Sequence, residues 1–220
     1  LATLFVIGTG FTIMRLGDLI AAPRVGFMAA LIYAVAVGLM EGSGGQTPIF
    51  YNLPVAVAML MYLRTALGES RPELGQIRLA GLGACLLFGI AMQIKYVAAI
   101  EGAALSLYFL VALRVRHQIS LTQLLALALG MVALALLPTA MVAGYYASIG
   151  HWGAFFESNF ASIFAKHLWN LPFTEFVRRF RDSSLFCIFF LPFAAYALAT
   201  YRRADLSARA TWAFVGIALW

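Results

Sequence analysis

The feature that most constrains this chain is a run of 35 residues, Leu79–Leu113, which carries only two charged side chains. These two are Lys95 and Glu101. An ionisable group in a hydrocarbon environment costs roughly 2.5 to 3.5 kcal/mol on membrane-insertion scales. A chain therefore keeps such groups where they reach water, pair with each other or bind a ligand.

The composition identifies a helical integral membrane protein. Hydrophobic residues make up 63% of the chain and charged residues 11%, whereas a soluble domain is about half apolar and a quarter charged. The apolar segments are long runs, not the short alternating segments of an outer-membrane barrel. In such a protein the net charge of +6 marks cytoplasmic loops and lipid headgroup contacts, so it does not indicate nucleic-acid binding.

The apolar runs predict an all-α transmembrane bundle of about eight spans, with the first and last truncated. The runs are 1–14, 25–40, 49–63, 79–94, 97–113, 121–143, 186–200 and 211–220. The stretch 79–113 is about twice as long as the other runs, so it predicts two helices with a break near Lys95. Both chain ends fall inside apolar runs, which indicates an internal piece of a longer protein. Since the apolar runs follow one another along the whole sequence, we expect residues 1–220 to form a single transmembrane domain.

The distribution of basic residues predicts the orientation of the spans, because cytoplasmic loops are enriched in Lys and Arg. If the 15–24 loop is cytoplasmic, ten arginines lie inside and five basic residues lie outside. A single helix over 79–113 would destroy this asymmetry, so the count supports the break. Arg178, Arg179 and Arg181 argue against this orientation, since it places them outside and close to the seventh span. Either the topology differs there or these arginines bind an anion.

The segment 145–182 predicts an outer-face loop that contains juxtamembrane helices. Its large apolar residues recur at helical spacing, which is typical of an amphipathic helix lying in the membrane interface. They are Trp152, Phe156, Phe160, Phe164 and Leu168.

The small residues of the fourth run predict a close helix contact, and the cysteines and histidines do not indicate a metal site. Gly81, Cys85 and Gly89 are spaced four apart, which lets another helix approach closely. We interpret Cys85, like Cys187 in a later run, as a small buried thiol. His151 and His167 have no third ligand nearby, so no metal site is assigned.

Three stretches resemble the GT-C class of polyprenyl-phosphate-dependent membrane glycosyltransferases, in particular protein O-mannosyltransferases and the aminoarabinose transferase of lipid A. One is RLGD at Arg15–Asp18 followed by AALIYA at Ala29–Ala34. The second is GQTPIFYNLP at Gly45–Pro54, and the third is GIAMQIKY at Gly89–Tyr96. The aromatic outer segment that begins at Tyr145 is also similar to that family's lumenal segment.

The resemblance implies transfer of a sugar from a polyprenyl-phosphate donor to a lipid, glycan or protein acceptor. It implies a bacterial inner-membrane protein with its active site facing the periplasm. The main catalytic acid is expected upstream of Leu1. A second acid of many relatives is replaced by Gln46 and Thr47, and Glu41 in the same loop is the candidate substitute. The resemblance assigns no cofactor; dependence on a divalent metal ion stays open.

The candidate substrate-binding residues are mostly cationic, as a phosphate ligand requires. Lys95 would pair with the donor phosphate, although a lysine that snorkels at a helix end explains it equally well. Glu101 is most simply a structural carboxylate that faces the bundle; a direct pair with Lys95 would need the predicted break. The remaining candidates are Tyr96, Gln46, Arg178, Arg179 and Arg181.

Two other classes of protein remain compatible with the sequence. A transporter or flippase would use the intramembrane charges along a translocation path, although no internal repeat is evident. A non-catalytic scaffold of GT-C shape would explain the absence of an acid at Thr47.

The predicted topology can be tested with a cysteine at Gly44, in the loop after the second apolar run. We expect a membrane-impermeant thiol reagent to label this cysteine in intact cells, because the loop faces outward. Labelling that requires cell lysis would contradict the topology.

Overall fold

The computed structural model describes residues 1–20, 22–39, 47–68, 72–162, 173–174 and 177–178. Every element in these ranges is helical. The long helices are α1 (Ala2–Ile20), α2 (Pro23–Leu39), α3 (Thr47–Leu67), α4 (Leu74–Ile94), α5 (Val97–His117) and α6 (Leu121–Ser148). A short helix α7 (Trp152–Phe156) and a π-helix (Glu157–Ala161) follow. All the long helices except α2 are long and apolar enough to cross a membrane.

These helices confirm the all-α class and the break at Lys95. The first six apolar runs of the sequence each correspond to one helix, and α4 and α5 meet at Lys95 and Tyr96. The runs 186–200 and 211–220 lie outside the described residues, so the total of eight spans stays a prediction. The same holds for the single domain over 1–220.

The helices extend further into the charged segments than the sequence pattern predicts. The pattern predicts that Arg15 and Asp18 lie in a polar link, but both lie in α1, where an exposed ion pair joins them at 3.8 Å. The predicted loops that begin at Arg64 and Arg114 are also wrong at these two residues, which lie in the last turns of α3 and α5. The reason is that a long basic side chain reaches water from within a helix end, so charge does not terminate the helix.

The chain divides into two compact units, of which the first includes Leu1–Val142 and the second begins at Ala143. Helix α3 is central to the first unit, where it packs against α1, α4 and α5. Helix α1 also packs against α2.

A buried tyrosine on α3 joins the three best-packed helices. The Tyr62 side chain is inaccessible to solvent, and its ring stacks on Phe109 of α5 with centroids 4.5 Å apart. Its hydroxyl lies 3.2 Å from the Cys85 sulfur of α4 and 2.9 Å from the Ser106 hydroxyl of α5. One phenol therefore supplies both apolar packing and interhelical hydrogen bonding, which suits a protein interior surrounded by lipid.

The small residues of α4 confirm the predicted close helix approach. A Cβ on Gly81 would lie 2.9 Å from Leu127 of α6, and a Cβ on Gly89 would overlap the carbonyl oxygen of Ala135. Cys85, between them in the sequence, is buried against Tyr62. Glycine at position 89 therefore lets the backbones of α4 and α6 touch.

The second unit contains an aromatic cluster close to its first residues. Phe155 is buried, and its ring lies between 5.6 and 6.0 Å from those of Tyr146, Trp152 and Phe160. Trp152, Phe156 and Phe160 of the predicted stripe are exposed. Because the rest of the stripe lies outside the described residues, the amphipathic interfacial helix stays a prediction.

The close approach at Gly89 predicts a large difference between two identical substitutions in α4. We expect Gly89→Ala to lower the free energy of unfolding by about 1 to 3 kcal/mol, because backbone must move to admit the methyl group. Gly75→Ala is the matched control, since a Cβ there meets no atom within 4 Å. Thermal unfolding in detergent measures both; equal midpoints for the two variants would contradict the contact.

The two roles of Tyr62 can be separated by substitution. Tyr62→Phe keeps the stacked ring and leaves Cys85 and Ser106 within 3.5 Å of each other, so we expect a loss of about 0.5 to 1.5 kcal/mol. Tyr62→Ala removes the ring as well, with an expected loss of about 3 kcal/mol or more. The same unfolding assay compares them. A loss for the phenylalanine variant as large as that for alanine would show that the hydroxyl dominates.

Candidate functional site

The contacts between helices define two ends of the first unit. At the end that we name the lysine end, α4 ends and α3 and α5 begin, and Lys95 lies over the Tyr51 ring near the start of α3. At the opposite end, named the arginine end, α3 and α5 end and α4 and α6 begin. A contact between His117 of α5 and the carbonyl of Ala66 of α3 marks this second end.

The lysine end is formed by an abrupt reversal of the chain. Lys95 has extended backbone angles, with φ −154° and ψ 124°, and its N–H still bonds to the Ala91 carbonyl at 3.0 Å. Tyr96 returns to helical angles and its carbonyl accepts the N–H of Ala99. The 21 residues of α4 span about 31 Å, close to the thickness of a hydrocarbon core, so a helix of this length that crosses a membrane would bring the lysine to water.

An aromatic ring positions the Lys95 ammonium group. The Nζ atom lies 5.6 Å from the centroid of the Tyr51 ring, and the lysine side chain is exposed. Within the described part of the chain, Lys95 has neither an ion pair nor a side-chain hydrogen bond. Its cation–π contact is worth about 0.5 to 1 kcal/mol at an exposed site. The ammonium group therefore remains open to an anionic ligand.

Glu101 is near this lysine without forming a direct pair with it. The carboxylate is half-buried on α5, and its charge interacts with both Lys95 and Tyr51. Among the described residues, the ion pairs within 4 Å do not include Lys95 with Glu101. The break that such a pair would need is present, but the two charges interact over a longer distance.

Neighbouring polar contacts extend the site onto α2 and α6. The side-chain amide of Asn52 donates to the hydroxyl of Tyr33 on α2 at 3.5 Å. The amide of Gln93, near the end of α4, donates to Thr139 of α6 at 2.7 Å. These bonds hold the helices around Lys95 in register.

The remaining predicted site residues are only partly described. Tyr96 adjoins Lys95 and is 43% exposed; partial burial raises the pKa of its phenol. Arg178 belongs to the second unit and is exposed. Glu41, Gln46, Arg179 and Arg181 lie outside the described residues.

Sequence reasoning missed several residues of this site, among them Tyr33, Tyr51 and Asn52. Each lies within one of the stretches used for the family resemblance, so a signal was available. Tyr51 and Asn52 are also polar or aromatic residues within the first two turns of a transmembrane helix, where side chains reach the headgroup region.

The site has the chemistry of an anion-binding surface. It offers one exposed ammonium group, neutral hydroxyl and amide groups, and a single half-buried carboxylate. Among the residues that the structure describes, no three His, Cys, Asp or Glu side chains are grouped so as to hold a metal ion.

Comparison with known proteins adds no identification. No protein-family model matches the chain, and searches of curated proteins and of solved structures find no similar protein. Support for a function therefore comes from the sequence stretches described above, the fold and the site geometry.

Proposed function

We propose that this chain is part of a membrane glycosyltransferase that transfers a sugar from a polyprenyl-phosphate donor to a lipid, glycan or protein acceptor. In this proposal Lys95 pairs with the phosphate of the donor. Tyr96, Gln46 and the arginines 178, 179 and 181 contribute further binding contacts. Glu41 is the candidate catalytic acid within this chain.

The observation that carries the proposal is the meeting of separate sequence stretches at the lysine end. Tyr33 comes from AALIYA, Asn52 and Tyr51 from GQTPIFYNLP, and Lys95 from GIAMQIKY. Tyr33 contacts Asn52 although they are 19 residues apart in the sequence, and Lys95 contacts Tyr51 across 44 residues. Residues from the parts of the chain that resemble the GT-C class thus contribute to one polar site at a membrane surface.

Two observations support the phosphate role of Lys95: its position at a helix end and the lack of an ion pair at its ammonium group in the described part of the chain. A compact ammonium group at the boundary of the hydrocarbon core suits a lipid phosphate, which lies at the same depth. No competing carboxylate within 4 Å neutralises it in the described part of the chain. Such a lysine can pair with a phosphate without breaking an ion pair first.

The proposed topology has about eight spans in a bacterial inner membrane, with the lysine end facing the periplasm. The distribution of basic residues supports this orientation. Arg15, Arg64, Arg78, Arg114 and Arg116 all fall on helices towards the arginine end, which by the positive-inside rule faces the cytoplasm. An interfacial amphipathic segment in the region 145–182 completes the proposed architecture.

Glu101 favours a second candidate function, that of a transporter or flippase. A half-buried carboxylate inside a span is costly, and such groups often mark a translocation path. A non-catalytic scaffold is the third candidate, because Thr47 begins α3 where many GT-C relatives have an acid just before the helix.

Mass spectrometry of the lipids that copurify with the full-length protein tests the proposal. A transferase is expected to retain a polyprenyl phosphate, with or without a sugar. Retention of bulk phospholipid alone, even after polyprenyl phosphate is added, would reject the transferase and favour the transporter or scaffold.

Variants of Lys95 test whether this residue binds the phosphate of the copurified lipid. We expect Lys95→Ala to weaken polyprenyl-phosphate binding about tenfold or more, because a charge-assisted contact is lost. Lys95→Arg is the control, since it keeps the positive charge, and we expect it to bind more tightly than the alanine variant. Unchanged binding in Lys95→Ala would remove this lysine from the site even if the lipid copurifies.

A further inference from the structure

A pocket of about 400 Å³ opens at the arginine end, between the last turns of α3 and the first turns of α4. This volume is within the range of sites for small molecules and lipid headgroups. The residues that line it include Met61, Arg64, Gln76 and Leu79. None of them takes part in the lysine-end site, so the pocket is independent of the function proposed above.

The charge and hydrogen-bonding groups of the pocket favour an anion. Arg64 is the charged residue among the described residues that line it, and its side chain is exposed. Arg64 forms no ion pair or hydrogen bond in the described part of the chain. A guanidinium group offers five donors in a planar fork that matches the oxygens of a phosphate.

Gln76 supplies a second donor on the α4 side of the pocket. Its carbonyl oxygen accepts the backbone N–H of Glu73 at 3.2 Å, which fixes the side chain at the start of α4. The amide nitrogen is then left to donate to a ligand. Arg64 and Gln76 therefore present donors to the same cavity from two different helices.

The depth of the pocket and its apolar side indicate a lipid. Helix α3 spans about 31 Å, and Arg64 lies one turn before its end, which corresponds to the headgroup region of a leaflet. Met61 lies one turn deeper on the same helix, and Leu79 of α4 is 70% exposed. An acyl chain can follow these apolar side chains while the headgroup contacts Arg64.

We propose that this pocket binds the phosphate headgroup of an anionic phospholipid from the cytoplasmic leaflet. That leaflet follows from the concentration of arginines at this end of the bundle. The guanidinium of Arg64 and the amide of Gln76 hold the phosphate, and Leu79 contacts the first part of an acyl chain.

A matched pair of charge substitutions tests the proposal. Gln76→Glu places a carboxylate in the pocket and keeps a residue type that is favoured in the first turn of a helix. Gln123→Glu is the control: Gln123 is exposed in the first turn of α6, where its backbone N–H bonds to Ser120, and it does not line the pocket. Titration of the full-length protein with phosphatidylglycerol, followed by native mass spectrometry, measures the affinity. We expect Gln76→Glu to bind this lipid about tenfold more weakly and Gln123→Glu to match the unmodified protein.

A second pair removes a cation from the same end of the bundle. We expect Arg64→Gln to weaken phosphatidylglycerol binding about tenfold. Arg116→Gln should have little effect, because Arg116 is exposed near the end of α5 and does not line the pocket. Equal losses for both arginine variants would overturn the proposal in favour of diffuse electrostatic attraction, and no loss in Gln76→Glu or Arg64→Gln would overturn it outright.

Two further titrations distinguish the possible sources of the phosphate. Phosphatidylcholine should bind the unmodified protein weakly, since its headgroup is zwitterionic. Inorganic phosphate should not displace phosphatidylglycerol at equal concentration, because it lacks an acyl chain. Displacement by inorganic phosphate would assign the pocket to a free anion and overturn the lipid.

Discussion

The first unit depends on the contact between Tyr62, Cys85 and Ser106, where α3, α4 and α5 meet. In a lipid environment the hydrophobic effect does not drive helices together, so close packing and hydrogen bonds carry the association. Tyr62 provides both, since its ring stacks on Phe109 while its hydroxyl reaches two other helices. Because this junction fixes three helices relative to one another, it also determines which side chains meet at each end of the bundle.

In the first unit the charged side chains of the described helices lie near the two ends, and the ends differ. At the lysine end a single ammonium group lies among phenol and amide groups from other helices. At the arginine end several guanidinium groups lie on the last turns of α3 and α5 and the first turns of α4. At this end the buried His117 also forms a hydrogen bond with the last turn of α3, where its Nε2 lies 3.2 Å from the Ala66 carbonyl oxygen. Because a carbonyl oxygen can only accept, the Nε2 atom donates.

The sequence predicts features that depend on one helix better than features that depend on several. The break at Lys95 follows from the length of the apolar run, and the close approach at Gly89 follows from the spacing of small residues. The placement of Tyr51 beneath Lys95 depends on how α3 packs against α4 and α5, which no local pattern specifies. The hydropathy pattern also predicts that α1 and α3 end before Arg15 and Arg64, whereas both helices continue past these residues. Hydropathy counts a basic residue as outside the membrane, although its long side chain can reach water from within the helix.

The contact between Lys95 and Tyr51 has a consequence for how a ligand binds. A flexible lysine normally loses side-chain entropy when a ligand immobilises it. Here the ring already restricts the ammonium group, and the contact that must be exchanged is worth only about 0.5 to 1 kcal/mol. In the proposed phosphate complex this contact would meet part of the ordering cost before the ligand arrives, so more of the electrostatic attraction would appear as affinity.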